Sequence, residues 1–260
     1  MGSLLYGGGN RAMRMLALAL IVAAQGGWAS PAEDLIAGRI KACRGCDLSN
    51  ISFKKADLAG VDLTGAILTN ASFHRANLRG AILDGVSANG ANFNMIEGTQ
   101  ASFKGADLSR TMMYGAQLSG ANMQGANLTE ARLQTARLTS ANLSGAVLDR
   151  MVGRDVVANN ADFSRVSMQE TNLNGAHLGR SVFDGATINY AGFVKADASR
   201  ASFVGATISL SDFYGSDLHR AKMTGATLTG NRFATAATSE VDFDSAKMSG
   251  NFMADGRLQE

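Results

Sequence analysis

From Cys43 to Leu258 the chain repeats every five residues, with a small residue at numbers ending in 1 or 6 and a large apolar one at numbers ending in 3 or 8. The stretch from Ala121 to Leu148 shows it most plainly: Ala-Asn-Met-Gln-Gly, Ala-Asn-Leu-Thr-Glu, Ala-Arg-Leu-Gln-Thr, Ala-Arg-Leu-Thr-Ser, Ala-Asn-Leu-Ser-Gly, Ala-Val-Leu. A period of five is neither the 3.6 of a helix nor the 2 of an ordinary strand, so each repeat is a short extended piece followed by a turn. The chain therefore coils. Because a coil buries its inward residues only against the coils above and below, the predicted architecture is an all-β solenoid.

The repeat A(D/N)LxG, as in Ala56-Asp57-Leu58-Ala59-Gly60 and Ala106-Asp107-Leu108-Ser109-Arg110, resembles the pentapeptide-repeat family. The resemblance covers about five sixths of the chain. It implies a right-handed, four-sided (quadrilateral) β-helix with four pentapeptides per coil. It implies a fold far more firmly than a job, although some members of that family modulate a type II topoisomerase by mimicking duplex DNA.

Packing in the repeat is tightly specified. Of the 44 positions ending in 3 or 8 between 43 and 258, 37 hold Leu, Phe, Met or Ile, so the exceptions are informative. Gly98 follows Ile96, Gly153 follows Met151, Ala158 follows Val156 and Ala88 follows Val86, so a shrunken centre comes with an enlarged partner two residues earlier. Interior volume is conserved in this way. Ala198 and Thr238 lack that compensation, and the coil is expected to narrow or relax there, or to take help from a larger neighbour in an adjacent coil. Eleven of the twelve phenylalanines have numbers ending in 3, which places them on two opposite faces of an even-sided coil. Residues 20 apart then stack: Phe53, Phe73 and Phe93 in one ladder, resumed by Phe193, Phe213 and Phe233, with Phe163, Phe183 and Phe203 opposite. About eleven coils at the strand spacing of about 4.8 Å make a rod of roughly 50 Å. Residues 149–160 are the least regular, and are expected to form a distorted but continuous coil.

Residues 1–29 stand outside the repeat. Arg11 and Arg14 precede a ten-residue apolar run, Met15 to Ala24, and Gly27 and Ala29 offer small residues before a cut. That is the layout of a secretory signal peptide, cleaved near Ala29. The run is too short to span a bilayer as a helix. The expected location is the periplasm or the exterior, with no membrane span in the mature form; the alternative is an uncleaved signal that anchors the protein to the inner membrane. Met13 and Met15 are further candidate starts. Residues 30–42 then read as lead-in, with Ser30, Pro31 and Glu33 setting a helix start and Leu35, Ile36 and Ile40 on one face. A helix over 31–40 is expected to cover the first coil of a β-helix running from 43 to 258.

Charge and composition narrow the function classes. The formal charge is +2, and it falls to zero without Arg11 and Arg14, the only charged residues before position 30. A neutral mature protein is poorly suited to nucleic acid, and equally poor as a DNA mimic, which needs an acidic excess. Cys43 and Cys46 occupy the large and small slots of the first repeat. Without a second CxxC or a suitably placed histidine they make no zinc site. In an exported protein they read as a local disulfide, with buried free thiols or a redox dithiol as the alternatives. His74, His177 and His219 lie on distant coils, and the aspartates before the large slot, such as Asp57, Asp162 and Asp217, read as turn caps. No cofactor, metal set or catalytic constellation stands out.

Two surface features remain. Arg180, Arg200 and Arg220 are 20 apart and form a predicted column. It is either half of a salt-bridge ladder completed by Asp197 and Asp217 or a site for an acidic group. The C-terminal coil lacks a covering helix, so an open edge and end-to-end homodimerisation are expected. The resulting functional reading is an exported, non-enzymatic structural or protein-interaction rod whose protein partner the sequence does not name. Its alternatives are topoisomerase modulation by DNA mimicry and a redox protein using Cys43 and Cys46.

Overall fold

A computed structural model describes residues 30–243 and 245–259, so the expected signal peptide lies outside the described residues. The chain divides at Ser30, and the β-helix belongs to the unit from Pro31 onward.

The five-residue unit folds because each part does a separate task. The small residue and the large residue point inward: Ala121, Met123, Ala126 and Leu128 are all fully buried. The two residues after each large one make a turn, closed by a hydrogen bond from the next small residue back to the large one, as from Ala56 N to Phe53 O at 3.0 Å. The second of them takes a left-handed backbone, with φ of 65° at Gly60 and 67° at Gly65. Glycine is favoured there because it has no Cβ to clash in that region. Aspartate and asparagine one residue before the large slot cap the turn, as expected: Ser49 N donates to Asp47 Oδ1 at 3.0 Å and His219 N to Asp217 Oδ1 at 2.8 Å.

Four such units make one coil. Parallel bridges join residue i to residue i+20, from Ala42↔Asp62 through Arg232↔Phe252. Where the extended pieces lengthen they form β1 (Ser167–Gln169), β2 (Thr187–Asn189), β3 (Thr207–Ser209), β4 (Thr227–Thr229) and β5 (Lys247–Ser249), stacked in that order as one parallel sheet. The product is a parallel β-solenoid with four faces per turn. Its phenylalanines stack in the expected columns, with ring centroids 4.9 Å apart for Phe53 and Phe73 and 4.6 Å for Phe193 and Phe213. Perpendicular contacts at about 6 Å, such as Phe93 against Phe103, tie opposite columns together across the core.

The compensating slots behave as the volume rule requires. A Cβ on Gly98 would sit 2.9 Å from Leu118 Cδ2 and 3.2 Å from Ile96 Cδ1, so isoleucine occupies the missing space. Met151 does the same for Gly153, with its Cε 3.2 Å from the position of such a Cβ. Residues 149–160 accordingly stay in the ladder, bridging Val152↔Asn172 and Val157↔His177. Late in the chain, polar residues replace alanine without leaving orphans. Asn231 and Asn251 are fully buried, and Asn251 Oδ1 accepts from Asn231 N at 2.9 Å while Asn251 Nδ2 donates to Leu228 O at 2.8 Å.

Both ends depart from the sequence reading. Helix α1 is Pro31–Ile36, shorter than 31–40. It stops because Gly38 turns left-handed, with Gly38 N bonded to Leu35 O at 3.0 Å and Arg39 N to Asp34 O at 2.8 Å, a Schellman termination. Ala32 and Leu35 are the buried residues, whereas Ile36 is 47% exposed rather than inward. At the other end the register stops at Met253, not Leu258. Gly256 bends the chain back, Phe252 pairs antiparallel with Leu258, and Gln259 N bonds to Asn251 O at 2.8 Å. This hairpin covers part of the edge that was expected to be open, and it leaves Leu258 56% exposed.

Candidate interaction face

One side of the β-helix differs from the other three. Its inward residues are Phe53, Phe73, Phe93, Met113, Leu133, Gly153, Leu173, Phe193, Phe213, Phe233 and Met253. Outside, this face and its two bounding corners carry seven of the twelve exposed large hydrophobic side chains among the described residues: Met95, Met112, Tyr114, Tyr190, Leu210, Tyr214 and Phe252. These positions are polar or glycine in most repeats, so the inward packing does not account for them. Three of them also oppose the backbone. Met95 has φ 56°, Tyr190 φ 52° and Leu210 φ 50°, and bulky residues in that region are strained. Their side chains are 41%, 55% and 49% exposed, so little burial offsets the strain.

Charge on the same side is organised. At the corner, Arg110 Nε and Arg150 Nη2 each lie 3.0 Å from a Glu130 carboxylate oxygen, one arginine on each side of the acid. The hydrogen bond from Arg110, then that from Arg150, holds the Glu130 carboxyl below its ordinary range. One step toward the middle of the face, Arg132 is exposed and forms no ion pair among the described residues. Arg110, Met112, Glu130, Arg132, Arg150 and Val152 line one groove of about 530 Å³. A smaller neighbouring one is lined by Asn94, Met112, Tyr114, Arg132 and Gln134. Farther along the same face, Arg232 Nε bonds to Asp212 Oδ1 at 2.8 Å while its guanidinium stacks 4.9 Å from the Tyr214 ring centroid.

The residues singled out from sequence lie elsewhere. Arg180, Arg200 and Arg220 do form a column, but no ladder with Asp197 and Asp217 is present. Arg220 pairs with Glu240 at 2.7 Å, and Arg180 and Arg200 make no ion pair among the described residues. Asp197 and Asp217 instead cap their turns, accepting from Ser199 N and His219 N. These groups border a shallow groove of about 490 Å³ in which two arginines face two aspartates. Cys43 and Cys46 are joined as a disulfide with a Cα separation of 5.5 Å, and Cys43 is buried beneath the first turn. The histidines are not brought together, and no group of three or more metal-ligating side chains occurs among the described residues. No described helix is long and apolar enough to cross a membrane.

The Arg110–Glu130–Arg150 ladder was present in the sequence as an alternation of sign at a spacing of 20, which a search for like charges alone passes over. The face itself had a signal too, in apolar residues such as Met112 and Tyr114 at positions the repeat assigns to solvent.

Parallel pairing at a constant offset of 20, four turns per coil and a small-large interior define the protein as a four-sided β-helix of five-residue repeats. A sequence profile described as pentapeptide repeats matches in eight overlapping stretches between residues 46 and 230. The chain belongs to the pentapeptide-repeat family. Among solved structures it is similar to HetL, a pentapeptide repeat protein involved in heterocyst differentiation regulation in the cyanobacterium Nostoc sp. strain PCC 7120, with 24% identity over 84% of this chain and 91% of that one and a TM-score of 0.29. It is similar to a pentapeptide repeat protein of the Arabidopsis thaliana thylakoid lumen, with 29% identity over 38% of this chain and 68% of that one and a TM-score of 0.37. It is also similar to QnrB1, a plasmid-mediated fluoroquinolone resistance protein, with 17% identity over 82% of this chain and 93% of that one and a TM-score of 0.38. No curated protein sequence matches the chain.

Proposed function

We propose that the protein is an exported, non-enzymatic rod that presents one side of its β-helix to a protein partner. The observation that carries this reading is the concentration of exposed Tyr, Met and Leu side chains, interleaved with arginine, on a single side. Tyr, Met and Arg are the residues enriched where proteins bind proteins. A regular solenoid surface also suits recognition by area, because its faces are shallow. Export is proposed from the signal-like layout of residues 1–29, and the Cys43–Cys46 disulfide agrees with an oxidising compartment. Cell fractionation with N-terminal sequencing tests this part, and a chain that starts before residue 15 and stays in the cytoplasm contradicts it.

The interaction itself is tested by affinity purification from cells that express the protein naturally. The wild type is compared with a variant carrying Tyr114→Glu, Tyr190→Glu and Leu210→Glu. The expected result is a partner retained by the wild type and lost by an equally folded variant; equal recovery by both contradicts the reading. A second partner is proposed on a separate observation. At the C-terminal end Phe243, Met248 and Met253 are only partly buried, and Phe243 and Met253 line a groove of about 540 Å³. We propose that a second copy of the chain covers it, which sedimentation tests: a monomer at high concentration contradicts it.

A further inference from the structure

We infer that the groove between Arg110 and Val152 is a docking site for an acidic protein segment that carries large apolar side chains. The inference rests on the interaction reading of this face and adds the chemistry of the partner. Its first basis is charge. Three arginines and one glutamate line the groove, so it keeps two positive charges in an otherwise balanced protein. The second basis is preorganisation. Glu130 holds Arg110 and Arg150 from between them, with both contacts at 3.0 Å, which fixes two guanidinium groups along the corner before anything binds. Arg132 is left with its guanidinium facing solvent and no carboxylate on it among the described residues. A guanidinium fork recognises a carboxylate in two parallel hydrogen bonds, which an incoming Asp or Glu would supply.

The third basis selects a protein segment over other anions. Met112 and Val152 line the same groove, and Tyr114 continues it past Arg132. Apolar surface beside the charge rewards a ligand that pairs carboxylates with hydrophobic side chains, whereas a sugar-phosphate backbone leaves that surface uncovered. The Arg180–Arg200 groove lacks this combination, since Asp197 and Asp217 offset its charge and large apolar side chains are absent from its lining.

The test uses the purified protein and labelled short synthetic probes read by fluorescence anisotropy: a Glu/Leu/Trp peptide, its Lys-for-Glu counterpart, a Glu/Ser peptide of equal charge, and duplex DNA. The Glu/Leu/Trp peptide is expected to bind at least about tenfold more tightly than the other three, a difference of roughly 1.4 kcal/mol. Arg132→Glu is expected to remove that preference, and Arg132→Gln to weaken it, while Arg180→Glu with Arg200→Glu leaves it unchanged. Tight binding of DNA or of the Glu/Ser peptide, or an unchanged affinity in a folded Arg132→Glu protein, overturns the inference. So does the absence of binding by every probe. If the face variant loses its cellular partner while the peptides do not discriminate, only the acidic chemistry fails and the interaction face stands. If the face variant keeps its partner, the underlying reading fails as well.

Discussion

At the scale of single residues, the left-handed turn position is where this chain departs most from what its backbone prefers. Arg200 has φ 58°, is exposed, and makes no ion pair among the described residues. Replacing it with glycine removes the Cβ strain and loses little contact, although glycine also gains freedom in the unfolded chain. The expected net gain is roughly 0.5–1 kcal/mol, measured by denaturant unfolding. A loss of stability instead shows that Arg200 makes a stabilising contact. Tyr190 and Leu210 sit in the same strained region, and their retention there accords with a role outside folding. The sequence showed that these positions are turns, but not that they are left-handed, because arginine, tyrosine and leucine do not announce such a conformation as glycine does.

A second residue-scale expectation concerns acid. The Arg44 hydrogen bond, joined by bonds from Thr64, lowers the Asp62 carboxyl from 3.8 to about 2. A carboxyl lowered by folding contributes stability that is fully present above its unfolded value and is lost as pH falls through the folded one. Stability is therefore expected to decline between about pH 4 and pH 2, and Arg44→Gln should flatten that part of the melting-temperature profile. An identical profile in the variant contradicts this assignment. Asp62 was legible only as a turn-capping aspartate, since the arginine that reaches it comes from 18 residues earlier in the previous coil.

At the scale of the repeat, the interior is a volume rule written across two slots. Gly98→Leu places a side chain into space already held by Ile96 and Leu118, and is expected to cost about 1–3 kcal/mol. Adding Ile96→Ala restores the ordinary small-large pair and should recover most of that loss. Chemical denaturation of the two single variants and the double variant measures the coupling, and strictly additive effects contradict the compensation. This layer was readable in advance because both members of each pair are close in sequence and the repeat fixes which way each points. The ends were less readable. Gly38 could have been taken as the stop of α1, but Gly256 lay in a slot the repeat assigns inward, so the reversal at Phe252 and Leu258 was masked by an unbroken count.

At the scale of the whole molecule, the repeat explains the fold and leaves the function to its exceptions. A solenoid is stabilised coil by coil, so an outward residue is free to vary without disturbing the interior. The accumulation of Met, Tyr and Leu on one side is therefore not required by folding. The sequence pointed to a different place, the arginine column, because equal charges at a spacing of 20 are conspicuous on a page; in three dimensions that column is partly offset by aspartates, while the richer face mixes residue types. Site-specific photo-crosslinking in living cells tests this account most directly. A photoreactive side chain at Tyr114 is compared with one at Lys104, the equivalent turn position on the opposite face. The account predicts a discrete protein adduct from Tyr114 and none from Lys104; equal adducts from both, or adducts from Lys104 alone, would contradict it.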